Sequence, residues 1–314
     1  MAKVINSILG FAIGDAMGCP VESFDRKKCM KYPVTTMVGH GTHDVPAGYF
    51  TDDTSMVLCE MDSFIKKECI DYDDIMTKFS SWVLEGEYTP GGEAIGLGPN
   101  CKAAIREFNK GNKSSLECGV DKENDNGALI RILPLVFYIY YNALEDKEIN
   151  KLIDNYASIT HRHEISKMAC FIYSKYLLSI LRGNSIEVAY EEIKDGDYSN
   201  YSSEIVKKYD RIINNNIYEY KLKDILSNGY VINTLECVLW VLHNTDSYKH
   251  AIIGAVNLGG DADTIGALVG GVAGILYSFD SIPKEWIKTL VRKDYIVEMA
   301  TKYDNKIKES ILKD

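Results

Sequence analysis

Residues 257–278, NLGGDADTIGALVGGVAGILYS, restrict the fold more than any other stretch of the chain. Apolar residues run through this segment at helical spacing, and Gly266, Gly270 and Gly274 recur every four residues on one face. Each glycine inside a helix costs about 1 kcal/mol relative to alanine. A helix with three of them on one stripe needs a neighbour whose backbone approaches closely, so it is expected to be central and buried. Gly259 and Gly260 just before it allow a tight turn. The apolar part, residues 265–279, is too short to span a bilayer and follows directly on Asp261 and Asp263.

Helical periodicity dominates the rest of the chain. Helices are expected over residues 4–16, 55–67, 72–84, 100–110, 128–142, 149–160, 164–181, 186–194, 231–244, 248–258 and 264–278. Alternating patterns are nearly absent, and residues 34–38 are the one strand candidate. No Pro/Ser linker divides the sequence and no repeat is visible. The polar, Tyr/Asn-rich stretch 195–223 reads as a surface excursion with weak helix. With 314 residues and 46% hydrophobic content, the chain can build one large core. The expectation is a single all-α domain, residues 1–314, of roughly a dozen helices.

The formal net charge of -10 argues against non-specific nucleic-acid binding, which requires a basic surface. Eight scattered cysteines without a CxxC motif read as reduced thiols. The N-terminal stretch MAKVINSILGFAIGDAMG reads as a first helix and not as a signal peptide. A cytoplasmic protein with no membrane contact is expected.

Two acidic knots stand out. In YFTDDTSM, residues 49–56, Asp52 and Asp53 are flanked by Thr51 and Thr54 at a helix start. Alone, such a segment reads as a helix cap. The GGDADT stretch repeats the chemistry with Asp261, Asp263 and Thr264. Buried carboxylates need positive charge, and neither knot has a basic neighbour in sequence. Four Asp and two Thr would suit two Mg2+ or Mn2+ ions, which prefer oxygen ligands.

These residues resemble the ADP-ribosylglycohydrolases, also called the dinitrogenase reductase-activating glycohydrolase family. The blocks that carry the resemblance are GFAIGDAMGCPVE (10–22), YFTDDTSM (49–56), GGEAIGLGPN (91–100), NGALIRILPL (126–135), ITH (159–161), SNGYVINTLECVLWVL (227–242) and the glycine-rich segment above. The resemblance implies a compact, orthogonal multi-helix bundle around a binuclear Mg2+ or Mn2+ centre. It places metal ligands on Thr51, Asp52, Asp53, Asp261, Asp263 and Thr264, and catalytic roles on Asp52, Asp53 and Glu22, the last as general base or gate. It places substrate contacts on Asp15, Glu22, Gly91, Gly96, Gly98, Asn126, Gly127 and His161.

Read without the resemblance, Glu22 is either a surface or capping carboxylate or a general base or gate, His161 a helix C-cap or a donor to a phosphate oxygen, and Gly96 and Gly98 plain loop residues or backbone donors to phosphates. The implied reaction is hydrolysis of the bond between ADP-ribose and an acceptor, with an ADP-ribosylated arginine on a protein as the first expectation. Serine-linked, polymeric or small ADP-ribose derivatives are the second. A non-catalytic, crystallin-like protein that binds ADP-ribose is the third, disfavoured by the intact ligand set. A monomer is expected.

Overall fold

Gly10, Gly14 and Gly18 recur every four residues along the first helix, Ala2–Gly18, and meet the glycine stripe of the helix Ala262–Tyr277. In this computed structural model, which describes residues 2–311 apart from 123 and 145, the two helices touch backbone to backbone. A Cβ on Gly14 would collide with the Gly266 carbonyl and lie 2.9 Å from the Ala267 nitrogen. Gly10 faces Gly270 in the same way, and Gly274 faces Asn6. The expected central helix is therefore present, and its partner is a matching glycine stripe. The contact continues to Gly18, whose Cβ would strike the Asp263 backbone. Close packing thus sets the register between Asp15, one turn back from Gly18, and the GGDADT turn.

Around this pair the other helices pack as an all-α bundle, and no β-strand occurs among the described residues. The helices Asp52–Lys67, Tyr72–Glu85, Pro99–Asn109, Glu164–Leu181, Ile186–Lys194, Val231–His243 and Tyr248–Val256 lie where the periodicity places them, within a few residues. Lys3–Val21 is long and apolar enough to cross a membrane, yet 94% of it is buried inside the protein, as a core helix requires.

Four expectations are corrected. Residues 34–38 form no strand, because Asn257 satisfies the Val34 backbone alone: its side chain accepts from the Val34 N–H and donates to the Val34 carbonyl, both at 2.8 Å. The helix expected from residue 128 begins at Leu133, where Pro134 sits in the first turn; residues 126–130 are instead turns closed on the Asn126 carbonyl. The polar stretch 195–223 buries Tyr201, Tyr209, Ile212 and Ile217 and carries the short helices Ser203–Lys208 and Asp210–Ile213. Finally, a long helix covers Lys293–Ile311, where none was expected. Its buried face, Ile296, Met299, Ala300, Tyr303 and Ile307, has ordinary helical spacing.

One buried ion pair ties the core to the region under the site. Arg131 and Glu60 meet at 2.8 Å, both essentially unexposed. Arg131 also donates to the Tyr156 carbonyl and to Thr160 Oγ1, each at 2.8 Å.

Candidate functional site

The two acidic knots open onto one cavity of about 470 Å3. Asp52 and Asp53 reach it from the start of the helix Asp52–Lys67, and Asp261, Asp263 and Thr264 from the start of Ala262–Tyr277. Thr264 Oγ1 lies 3.4 Å from Asp53 Oδ1, so residues 211 positions apart in sequence are in contact. Glu22 stands on the same wall.

The capping reading of the knots is true in part. Thr51 occupies the N-cap of its helix, and its hydroxyl accepts weakly from the Asp53 N–H at 3.5 Å. Asp261 also sits at an N-cap position, yet its side chain caps nothing. It accepts instead from the Asn126 amide, which also donates to Thr234 Oγ1 at 2.9 Å. The turn before it depends on Gly259 and Gly260, both at positive φ, where a Cβ on Gly260 would strike the Ser227 carbonyl. Arg26 knits the same region, donating to the carbonyls of Leu258, Leu222 and Ile225 at 2.6–2.8 Å.

Asp15 is placed differently from the expectation that it touches substrate. It is fully buried behind the TDDT turn, where it accepts from the Thr51 and Thr54 N–H groups and from both hydroxyls, at 2.6–3.1 Å. It fixes the turn that presents Asp52 and Asp53. Thr51 is likewise behind the wall, with its hydroxyl donating to Asp15 at 3.0 Å.

His161 also lies beneath the wall. Its ring is fully buried, with Nδ1 2.9 Å from Thr160 Oγ1 and Nε2 hydrogen-bonded to Asp125. The side chain that reaches the cavity is Asp125, which also accepts from Asn100 Nδ2 at 2.7 Å. Replacing His161 by Ala removes one hydrogen-bond partner each from Asp125 and Thr160 and opens a hole in the core. We expect a loss of about 1–3 kcal/mol in stability, read from urea unfolding; an unchanged midpoint would contradict this role.

Gly96, Gly98, Asn126 and Gly127 line the cavity, and Gly91 does not. Gly96, at positive φ, lies so close to Asp52 that a Cβ would meet the carboxylate. Gly98 occupies the N-cap of the helix Pro99–Asn109. Sequence reasoning missed three residues: His43, hydrogen-bonded through Nε2 to Glu22; Asp125; and Tyr230, a half-exposed ring on the cavity wall. Each reaches the site from a loop or loop end, with no periodic signal to mark it. Trp82 and Trp286 are buried in the core, and Trp240 is half-buried and donates to the Tyr220 carbonyl at 2.9 Å.

The electrostatics are one-sided. Burial first, then mutual repulsion, pushes Asp52 up to about 8 and Asp53 and Asp263 well above the carboxylate range. Burial holds Asp15 and Asp261 up at about 6 despite their hydrogen bonds. No lysine or arginine among the described residues pairs with any of them. Asp53 Oδ2 is buried without a hydrogen-bond partner. Side-chain oxygens of Glu22 and Asp263 and a nitrogen of His43 lie within 4.8 Å of one another. A carboxylate-rich wall with an orphaned carboxylate oxygen and no paired lysine or arginine among the described residues fits hard divalent ions.

These shifts fix the sign of a pH effect on the metal-free chain. A carboxyl with a raised folded pKa keeps its proton longer in the folded state than in the unfolded chain. Below about pH 4 both states are protonated and nothing is lost. As pH rises, the unfolded chain ionises first, and the folded state loses relative stability until about 8, the Asp52 value. Glu60 and Glu236, pushed up by burial to about 7, act with the same sign. His43, raised chiefly by its hydrogen bond to Glu22, also acts with that sign, and buried His243, pushed down to about 4, opposes them. The chelated protein should therefore melt lower at about pH 8 than at about pH 5, and Mg2+ should raise the melting temperature more at the higher pH. Calorimetry in EDTA checks this, and a chelated protein more stable at the higher pH would contradict it.

The family profile described as ADP-ribosylglycohydrolase matches residues 1–311. The ADP-ribosylarginine hydrolase Tri1 of Serratia proteamaculans (strain 568) is 32% identical over 304 residues, covering 95% of this chain and 78% of that protein. The ADP-ribosyl-[dinitrogen reductase] glycohydrolase of Rhodospirillum rubrum is 28% identical over 293 residues, covering 93% and 91%. A solved structure titled ADP-ribosylglycohydrolase-related protein complex superposes with a TM-score of 0.81 at 26% identity, covering 97% of this chain and 98% of that one.

Proposed function

The chain belongs to the ADP-ribosylglycohydrolase family, enzymes that hydrolyse glycosidic bonds to ADP-ribose, and from that premise we propose that it is a metal-dependent hydrolase that releases ADP-ribose from arginine side chains of proteins. The observation that carries the metal dependence is the meeting of the two acidic knots, seen in the Thr264–Asp53 contact, in a cavity that no lysine or arginine lines among the described residues. The arginine acceptor is supported by the Serratia relative, an ADP-ribosylarginine hydrolase.

Asp52, Asp53, Asp261 and Asp263, with Thr264, would hold two Mg2+ or Mn2+ ions. Such ions, when bound, neutralise the carboxylates and supply Lewis-acid anchorage for hydroxyl oxygens. The chain's own residues do the rest. Asn126 holds Asp261 in place. Tyr230 offers a ring face and Gly96, Gly98 and Gly127 offer close backbone approach to the rest of ADP-ribose. Glu22, oriented by His43, takes a proton from the attacking water.

In the balanced step, the water oxygen bonds to C1″ of the distal ribose and the C1″–N bond breaks. The water proton ends on the departing nitrogen, so the arginine leaves as a guanidinium. Asp52 and Asp53 would fix the geometry that an oxocarbenium-like transition state requires.

A panel of arginine-linked, serine-linked and polymeric ADP-ribose substrates, each with Mg2+ and with Mn2+, tests this reading. Release of ADP-ribose from the arginine-linked substrate is expected. Release from the serine-linked substrate alone would replace the acceptor assignment.

A further inference from the structure

The acidic cavity has a second space beside it. Across Gly96 lies a depression of about 340 Å3 whose lining includes His43, Val45, Tyr49, Gly91, Glu93 and Ile95. Gly96 belongs to both walls. The hydrogen-bonded pair Glu22 and His43 spans the same junction, Glu22 facing the cavity and His43 the depression. The two spaces therefore meet beside Asp52 and Glu22, where the glycosidic bond would break.

The lining of this depression is chemically selective. Glu93 is its one carboxylate, exposed and in no ion pair, and no lysine or arginine lines it among the described residues. The charge of His43, when protonated, is already matched by Glu22. Tyr49 packs its ring on Gly91: a Cβ there would come within 2.6 Å of Tyr49 Cε1. The missing side chain at Gly91 is what lets the Tyr49 ring pack there, on the depression that Glu93 also lines. Val45 and Ile95 add apolar surface.

We propose that this depression is the acceptor subsite and that Glu93 and Tyr49 make it selective for an arginine side chain. The proposal rests on the reading that the acidic cavity takes ADP-ribose, which leaves the acceptor to exit on the other side of Gly96. A guanidinium pairs its N–H donors with the Glu93 carboxylate, stacks its plane on the Tyr49 ring and lays its methylenes along Val45 and Ile95. A serine-linked acceptor is neutral and has no donors for Glu93. Gly91, matched by sequence to the ADP-ribose side, is thereby reassigned to the acceptor side.

The test uses the full chain with Mg2+, arginine-linked and serine-linked ADP-ribosyl peptides, and free ADP-ribose as inhibitor. Glu93→Gln should lower kcat/KM for the arginine-linked peptide about tenfold, mainly through KM, and Glu93→Lys about a hundredfold. Free ADP-ribose should inhibit both variants within about twofold of the wild-type concentration, because it does not enter the depression. An unchanged arginine-linked kcat/KM in Glu93→Lys, with wild-type hydrolysis intact, overturns the subsite and leaves the ADP-ribose reading standing. An equal fall for both peptides, or parallel weakening of ADP-ribose inhibition, also overturns it by showing a general structural role. A wild-type protein that neither hydrolyses either peptide nor binds ADP-ribose removes the functional reading itself, and the subsite with it.

Discussion

Asp263→Asn should lower hydrolysis of an arginine-linked ADP-ribosyl substrate on the order of a thousandfold, while the metal-free protein melts no lower than wild type. The substitution keeps the shape of a buried side chain on the cavity wall and removes its charge. If the carboxylate anchors a divalent ion, several kcal/mol of charge stabilisation leave with it, and about 1.4 kcal/mol is a tenfold change in rate. Stability moves the other way. Asp263 is held well above its ordinary pKa by burial and then by Asp261, Glu22, Asp15 and Asp52. Removing that charge relieves repulsion in the chelated protein. The metal-induced rise in melting temperature, about 2.7 kcal/mol of stabilisation at a hundredfold excess over Kd in the wild type, should shrink. Steady-state kinetics and calorimetry on the same preparation check both halves. A variant that kept full activity and the full metal shift would reduce the GGDADT turn to a helix cap.

The second large effect is expected far from any charge. Gly14→Ala should destabilise the protein by about 3 kcal/mol or more, although alanine favours an isolated helix by about 1 kcal/mol. The added methyl group has nowhere to go: it meets the Gly266 carbonyl and the Ala267 nitrogen, which belong to a rigid helix. The two helices must separate, and Asp15 and Asp263 ride on them. Gly254→Ala is the control. It lies inside the helix Tyr248–Val256, and its Cβ would make ordinary contacts at 3.6 and 3.7 Å with Thr245 and Val241. That variant should be neutral or stabilised by up to about 1 kcal/mol. Urea unfolding of both variants decides the matter, and equal stability of Gly14→Ala and wild type would show that the interhelical approach tolerates a side chain.

What the sequence revealed follows from how local each signal is. The TDDT and GGDADT knots were legible because their donors are contiguous and each opens a helix, so both chemistry and position lie in a few residues. The glycine face of residues 266–274 announced a close neighbour. Its partner stripe, Gly10, Gly14 and Gly18, went unnoticed because only the packed pair makes the two stripes complementary. Asp15 and His161 were matched to substrate by motif, but burial decides otherwise: each is spent on holding a neighbour, Asp15 the TDDT turn and His161 the Asp125 side chain. His43 and Tyr230 reach the wall from irregular segments whose paths depend on tertiary contacts such as the Arg26 clamp on the 222–227 loop. The final helix was the reverse case. Its periodicity was present in Ile296, Met299, Tyr303 and Ile307, and was overlooked among its charged neighbours.

The central claim is that the two acidic knots form one metal-dependent hydrolytic centre. Its most direct test is release of free ADP-ribose from an ADP-ribosylated arginine substrate by the full chain, measured with Mg2+ or Mn2+, then with EDTA, then after metal is returned. The account predicts release with metal, none above background in EDTA, and recovery when metal is restored. Release at an undiminished rate in EDTA, from protein shown to be free of bound metal, would contradict it.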